Sequence, residues 1–313
     1  MANPPITRAS LRNLAKVALT VSAIALLAAS CSQPSEQARD TAATASNSSE
    51  AVAPEEVLTF VAVPASDAET QKKTLQALMD YLGEQLGRQV KFQLVEDYDA
   101  AIAMLASGEA QLGVLGPFSY VKAKEVNAQI EPIAAAIDDE TQRPWYTSII
   151  IARADRNIQT FADLKGRRFG FVSPSSTSGF LVPSYALQQQ QITPESDFAE
   201  VIYTGNHTQS IADLVADKVD AVSVERSALS RAIAEGLLTD TNYVQIWESD
   251  PIPESPFVIN QEFPPDLIAP LKSALINSQG LTNDSGIESS GYTTVTDSDY
   301  ELIRDVQKAI GQP

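Results

Sequence analysis

From Val57 onward the chain alternates short apolar runs with amphipathic ones, a pattern that restricts it to a layered α/β fold. LTFVAV (Leu58 to Val63) reads as a buried strand ended by Pro64, and Leu75, Leu78, Met79, Leu82 and Leu86 then recur at helical spacing. VKFQLV (90–95) reads as a strand, Tyr98 to Leu105 as a helix and QLGVLG (111–116) as a strand, and Pro117 opens the helix that carries Tyr120 and Val121. A second series begins at Tyr146, with TSIIIAR, RRFGFV, AEVIYT and DAVSV as strands and helices at FADLKG, after SSTSG, at Ile211 to Ala216 and at Ser227 to Glu235. Two such series predict two α/β lobes, each with a mostly parallel sheet. VQIWES and SPFVIN (244–249 and 255–260) are expected to return toward the first lobe, with crossings near 143–146 and 248–255.

Length agrees with two lobes, since 313 residues are ample for two cores. The 40 acidic and 22 basic residues leave a net charge of -18, which argues against nucleic acid or an anionic membrane surface as partner. A single cysteine, Cys31, and a single histidine, His207, exclude a disulfide framework, a thiolate zinc site and a multi-histidine metal centre. No metal and no cofactor is expected. The chain has no GxSxG, no GxxxxGK[ST], no GxGxxG after a strand and no DxDxDG calcium loop, so enzyme readings lose most of their support.

Met1 to Lys16 carries Arg8, Arg12 and Lys16 with no acid, and VALTVSAIALLAA (17–29) is an apolar run leading to Ser30-Cys31. As a helix that run rises only about 20 Å, short of the roughly 30 Å hydrocarbon core, so residues 1–30 read as a signal peptide. LLAASC resembles a bacterial lipobox with Ala28 in place of the usual leucine, which implies lipidation at Cys31. Cleavage there would leave 19 basic against 40 acidic residues, a net of -21. Residues 31–54 are rich in Ser, Ala, Thr and Glu and read as a flexible tether.

Ser175-Ser176-Thr177-Ser178-Gly179 follows the strand RRFGFV and precedes the apolar FLVPSYAL. Such a cluster is ordinarily a helix N-cap. Its hydroxyls and the unpaired first-turn N–H groups would also form a neutral cradle for a tetrahedral oxyanion. Pro183 sets the first turn of that helix apart from the rest. His207, in NHTQS after AEVIYT, stands just before another helix. Tyr98 and Tyr146 also sit where strand ends face helix starts, the usual crevice of α/β sheets.

These segments, in this order, resemble the phosphate, phosphite and phosphonate-binding proteins of ABC transporters. The likeness runs from about Val57 to Val306 through VAVP, DYDAAIAMLASGEAQLGVLGPFSYV, FADLKGRRFGFV, SSTSGFLVPSYAL, NHTQSIADLVADKVDAV, IWESDPIPESPFVI and GYTTVTDSDYELIRDV. It implies a two-lobed type II periplasmic-binding-protein fold with the ligand cleft between the lobes. Residues 55–143 and 255–313 would form lobe 1 and 144–254 lobe 2. Ser176, Thr177, Ser178 and His207 would bind the oxyanion, and Tyr98 and Tyr146 would close over it. Ser227 and Ser255 align where members that take aminoalkyl phosphonates carry carboxylates, with Glu225 and Glu254 close by in sequence. That alignment disfavours an aminoethylphosphonate and favours phosphite, methylphosphonate or phosphate.

The resemblance implies a monomer, partnered by an ABC permease and its ATPase and held to a bacterial membrane through the N-terminal lipid alone. It would face the periplasm or the cell exterior. A longer-phosphonate receptor or a ligand-sensing domain that signals to a membrane partner are the alternatives. An enzyme of this fold with a cysteine nucleophile is disfavoured, because the lone cysteine belongs to the lipobox. A ligand dianion beside His207 is expected to raise that histidine's pKa.

Overall fold

Leu58, Phe60, Val61 and Ala62 are all buried in β1 (Leu58–Ala62), which places this strand inside a sheet covered on both faces. The computed structural model describes residues 57–138, 141–278 and 289–311, so the leader, the tether and Cys31 lie outside the described residues. Helix α1 (Ala68–Leu86) starts where the Asp67 carboxylate accepts from the Thr70 N–H and ends at Gly87 in the left-handed region. Its stripe of Leu75, Leu78, Met79, Leu82 and Leu86 is buried, as the spacing requires. The first lobe continues through β2 (Val90–Gln93), α2 (Tyr98–Ser107), β3 (Leu112–Val114), α3 (Pro117–Val126) and β4 (Glu131–Asp138).

The chain then crosses through β5 (Trp145–Tyr146) into β6 (Ser148–Arg153), β7 (Arg168–Phe171), α4 (Val182–Gln189), α5 (Pro194–Asp197), β8 (Glu200–Tyr203), α6 (His207–Val215), β9 (Ala221–Glu225), α7 (Arg226–Ala234) and β10 (Tyr243–Glu248). It returns through β11 (Ile252–Pro253) to β12 (Pro256–Ile259), α8 (Ile268–Asn277), β13 (Ser289–Thr293) and α9 (Glu301–Ala309). One sheet has the order β13-β4-β12-β3-β1-β2 and the other β10-β6-β9-β7-β8, while β5 and β11, one on each crossing, pair with each other.

Two expectations change. Both sheets are mixed: β12 enters antiparallel between β3 and β4, and β6 runs antiparallel to both β9 and β10. The βα units β1-α1-β2, β2-α2-β3, β7-α4-β8 and β8-α6-β9 carry the helical crossovers that a parallel run needs, and strands delivered by the crossings arrive from the opposite direction. VQIWES does not return to the first lobe. As β10 it pairs with β6 in the second sheet, and only the SPFVIN segment, as β12, joins the first. One apolar core packs Phe60, Leu78 and Phe257 beneath α1 and α8, another packs Ile149, Ile211 and Val224 beneath α6 and α7, and a third spans both lobes from Val61 and Phe118 to Phe169 and Phe180.

Candidate ligand-binding site

The turn after β7 departs from ordinary helix geometry, and its sequence explains why. Ser176 caps it by accepting from the Gly179 N–H at 3.1 Å, and residues Thr177–Leu181 then form a π-turn, with Leu181 N–H donating to Ser176 and Val182 N–H to Thr177. Pro183 has no N–H, so the Gly179 carbonyl four residues before it loses its helical donor. The N–H of Val172 and the hydroxyl of Ser223, at 3.0 and 2.9 Å, take that place. The Ser178 carbonyl, bypassed by the wide turn, accepts from the Ser148 hydroxyl at 2.6 Å. Strands β6 and β9 thus each present a buried serine that holds the turn open. Gly179 is required here, because a Cβ would lie 2.4 Å from the Val172 side chain.

Ser176, Thr177 and Ser178 are each 2% exposed, so the row is shielded from solvent. Helix starts from both lobes meet at this turn. The Phe118 N–H, at the start of α3, donates to Thr177 Oγ1 at 2.8 Å, and Ser119 Oγ donates to the Ser175 carbonyl at 2.8 Å. Ser175 Oγ accepts from Lys122 Nζ at 2.7 Å and donates to Asp99 at the start of α2 at 2.5 Å. Tyr98, the preceding residue, is buried in the core that spans both lobes. The His207 N–H, first in α6, donates to the Ala65 carbonyl beyond β1 at 3.2 Å. Helix N-termini that converge in this way bring the positive ends of their dipoles and their first-turn N–H groups to one turn.

His207 is 3% exposed, and its Nδ1 accepts from the Glu225 N–H at 3.2 Å. The proton of the neutral ring therefore sits on Nε2, 3.8 Å from Glu225 Oε2. Burial lowers the His207 pKa below 6.5, with the Glu225 carboxylate opposing and Arg231 adding to the shift. An imidazolium would also turn an Nδ1 proton against the Glu225 N–H, so the protein groups alone favour the neutral ring. His207 is built as a neutral donor.

Because the folded value lies below the unfolded one, stability is fully present above about pH 6.5 and declines as acid charges the unfolded chain first. His207→Gln is expected to flatten the pH dependence of the melting temperature just below that value. Thermal melts across about pH 5 to 8 check it, and a variant curve parallel to the wild type would refute a neutral buried ring.

Tyr146 is half-buried as a residue, but its phenol end is enclosed. Burial raises its pKa well above 10, the charges of Glu254 and Glu225 add to this, and the hydroxyls of Ser178 and Thr177 act against it. The phenol therefore remains a donor beside the hydroxyl row. Strand β5 brings it there through its pairing with β11.

Two further groups come with it. Glu225, the last residue of β9, is 7% exposed and its Oε1 has no hydrogen-bond partner within the protein. Glu254, just past β11, is 8% exposed and its Oε1 accepts from the Ser255 N–H at 2.8 Å. Ser227 stands half-buried in the first turn of α7 and Ser255 half-buried beside Glu254. The carboxylates of Glu225 and Glu254, close to these serines in the chain, lie close enough to Tyr146 for their charges to act on its phenol. The position of Glu225 at a strand's carboxyl end was the signal available for finding it.

Among the described residues no group of three or more His, Cys, Asp or Glu side chains could hold a metal ion, and no helix is long and apolar enough to cross a membrane.

Two lobes joined by paired crossings, with buried hydroxyls and helix starts facing one crevice, define a two-lobed solute-binding protein. Residues 60–300 match the model of the family described as "ABC transporter, phosphonate, periplasmic substrate-binding protein", and the chain belongs to that family. It is 29% identical over 317 residues to the phosphate-import protein PhnD of Mycolicibacterium smegmatis, spanning 95% of this chain and 96% of that one. It is 27% identical to the phosphonates-binding periplasmic protein of Escherichia coli over 65% of this chain and 61% of the relative. The fold is shared with PhnD1 of Prochlorococcus marinus in complex with methylphosphonate, at a TM-score of 0.74 and 20% identity over 82% of this chain and 99% of that one. A binding component of an ABC phosphonate transporter from Pseudomonas aeruginosa also gives a TM-score of 0.74, at 21% identity over 82% and 87% of the two chains.

Proposed function

We propose that the protein captures a small phosphorus oxyanion, phosphite, methylphosphonate or phosphate, and delivers it to an ABC importer. The buried hydroxyl row Ser176-Thr177-Ser178 on its π-turn carries this reading. The hydroxyls of that row, the phenols of Tyr98 and Tyr146 and the His207 Nε2–H are the donors. Hydrogen bonds to a charged group contribute about 1.5–3 kcal/mol each and a helix N-terminus up to about 2. Five or six such donors exceed the roughly 8 kcal/mol of a micromolar complex with room for the entropy of binding and closure. The lobes, 55–143 with 255–313 and 144–254, hinge about the β5–β11 pair, and the closed form docks on the permease. Lipidation at Cys31, a monomeric state and a place on a bacterial membrane facing the periplasm or the cell exterior belong to the same proposal, which assigns no catalytic role.

The unpartnered Oε1 of Glu225 narrows the ligand. A P–OH group satisfies a buried carboxylate, whereas a methyl or P–H group turned toward it leaves the acceptor unpaired. Singly protonated phosphate fits best, and the similarity to a phosphate-import protein supports it. The buried pair Glu225 and Glu254 favours one second reading, an aminoalkyl phosphonate whose ammonium lies near both carboxylates.

Calorimetry on the full-length chain with phosphate, phosphite, methylphosphonate and aminoethylphosphonate separates the two. Micromolar or tighter phosphate binding is expected, with a change in fluorescence from Trp145 on β5 and Trp247 on β10. Silence toward all four anions would sink the proposal, and tight binding of aminoethylphosphonate alone would select the second reading.

A further inference from the structure

The segment Thr296-Asp297-Ser298-Asp299-Tyr300 contributes none of the ligand donors, yet it is among the most heavily bonded parts of the chain. Asp299 closes a capping box with Thr296, accepting from its N–H at 2.7 Å and its hydroxyl at 2.9 Å. The Asp297 carboxylate takes hydrogen bonds from the Tyr120 phenol of α3 and from Arg304 of α9. The Tyr120 ring meets the fully buried Tyr300 ring edge to face, with centroids 5.0 Å apart. The phenol of Tyr300 then donates to the main-chain carbonyl of Glu254 at 3.1 Å.

That carbonyl belongs to a residue already held on its other side, because the Glu254 N–H donates to the Pro144 carbonyl at 2.9 Å on the first crossing. The carboxylate in turn accepts from the Ser255 N–H. A phenol buried this deeply is destabilising unless its hydroxyl is paired, and here the pairing falls on the backbone of a residue that faces the crevice. The Glu254 main chain is thus fixed from two sides, which sets the position and direction from which its side chain departs.

We infer that Tyr300, seated by Asp297, Tyr120 and Arg304, is a positioning residue for Glu254 and thereby sets which oxyanions the crevice prefers. This rests on the reading above for its ligand, but not for its geometry. Tyr300→Phe keeps the ring contact with Tyr120 and removes only the hydrogen bond. Asp297→Asn weakens the seat and leaves the phenol in place, so it serves if the first variant folds poorly.

Two measurements on the full-length chain test the inference. In hydrogen exchange, the Ser255 amide is expected to exchange at least tenfold faster in Tyr300→Phe, with amides of β7 unchanged. In calorimetry, the ratio of methylphosphonate to phosphate affinity is expected to change at least fivefold, and not to change further when Tyr300→Phe is added to Glu254→Gln. An unaltered Ser255 amide, or two affinities that fall together with no change in ratio, would overturn the inference. If the wild type binds neither anion, the functional reading falls while the exchange result still decides whether Tyr300 holds Glu254.

Discussion

A triple variant, Ser176→Ala, Thr177→Val and Ser178→Ala, is expected to lose anion binding altogether. Each hydroxyl is 2% exposed and stands on the π-turn held open by Ser148 and Ser223. At about 1.5–3 kcal/mol per hydrogen bond to a charged group, the three together account for a fall in affinity on the order of 10³-fold or more. Two of the hydroxyls also bond within the protein, Ser176 to Gly179 and Thr177 to Phe118. The unliganded variant should therefore melt a few degrees lower, in keeping with a lost cap and one lost lobe contact. Calorimetry with phosphate, alongside a melt without ligand, separates the two effects. Affinity retained within tenfold would place the ligand elsewhere.

The second large effect concerns charge. Glu225 presents a buried acceptor beside His207 Nε2, with Glu254, Tyr146 and Arg231 as the other ionisable groups acting around the pair. A unit charge about 4 Å from a ligand oxygen discriminates by about 4 kcal/mol at an effective dielectric constant of 20. Phosphate keeps a P–OH for Glu225 on both sides of its second ionisation, whereas methylphosphonate loses its only P–OH there and then faces the carboxylate as a bare dianion. Wild-type affinity for methylphosphonate should therefore fall as pH rises while that for phosphate changes less, and Glu225→Gln should flatten or invert the methylphosphonate slope. Between about pH 6 and pH 8 the wild-type and variant ratios of methylphosphonate dissociation constants should differ on the order of 10-fold. Equal slopes in the two proteins would show that Glu225 does not meet the ligand's proton.

The parts of this site legible in the sequence are those whose signal is local. The stripe of α1, the strand β7 and the helix starts after Ser176 and Asn206 all follow from spacing, caps and Pro183. The sheet order does not, because the insertion of β12 between β3 and β4 pairs residues more than 100 positions apart. Strand β4, with its alanine-rich EPIAAAID, has neither alternation nor β-branched enrichment to announce it. Every residue of β9 is buried, so no alternation marks which end of AVSVE faces the crevice, and Glu225 is marked in the sequence only by its place at the strand's end and its nearness to Ser227. Glu254 and Ser255 are neighbours on an irregular crossing, where one residue of register decides whether a hydroxyl or a carboxylate faces the ligand.

The bonds from Phe118 to Thr177, from Ser119 to Ser175 and from His207 to Ala65 join the lobes through protein groups alone. Each contributes about 0.5–1.5 kcal/mol whether or not an anion is present, so together they set how often an empty receptor visits the closed shape. An importer that recognises that shape then meets two populations, loaded and idle, competing for one docking surface. Strengthening the latch would tighten capture and crowd the permease with empty receptors, while weakening it would clear the queue at the expense of affinity. Under the proposed function, the serines and amides along this seam would tune the traffic at the transporter as much as the grip on the solute.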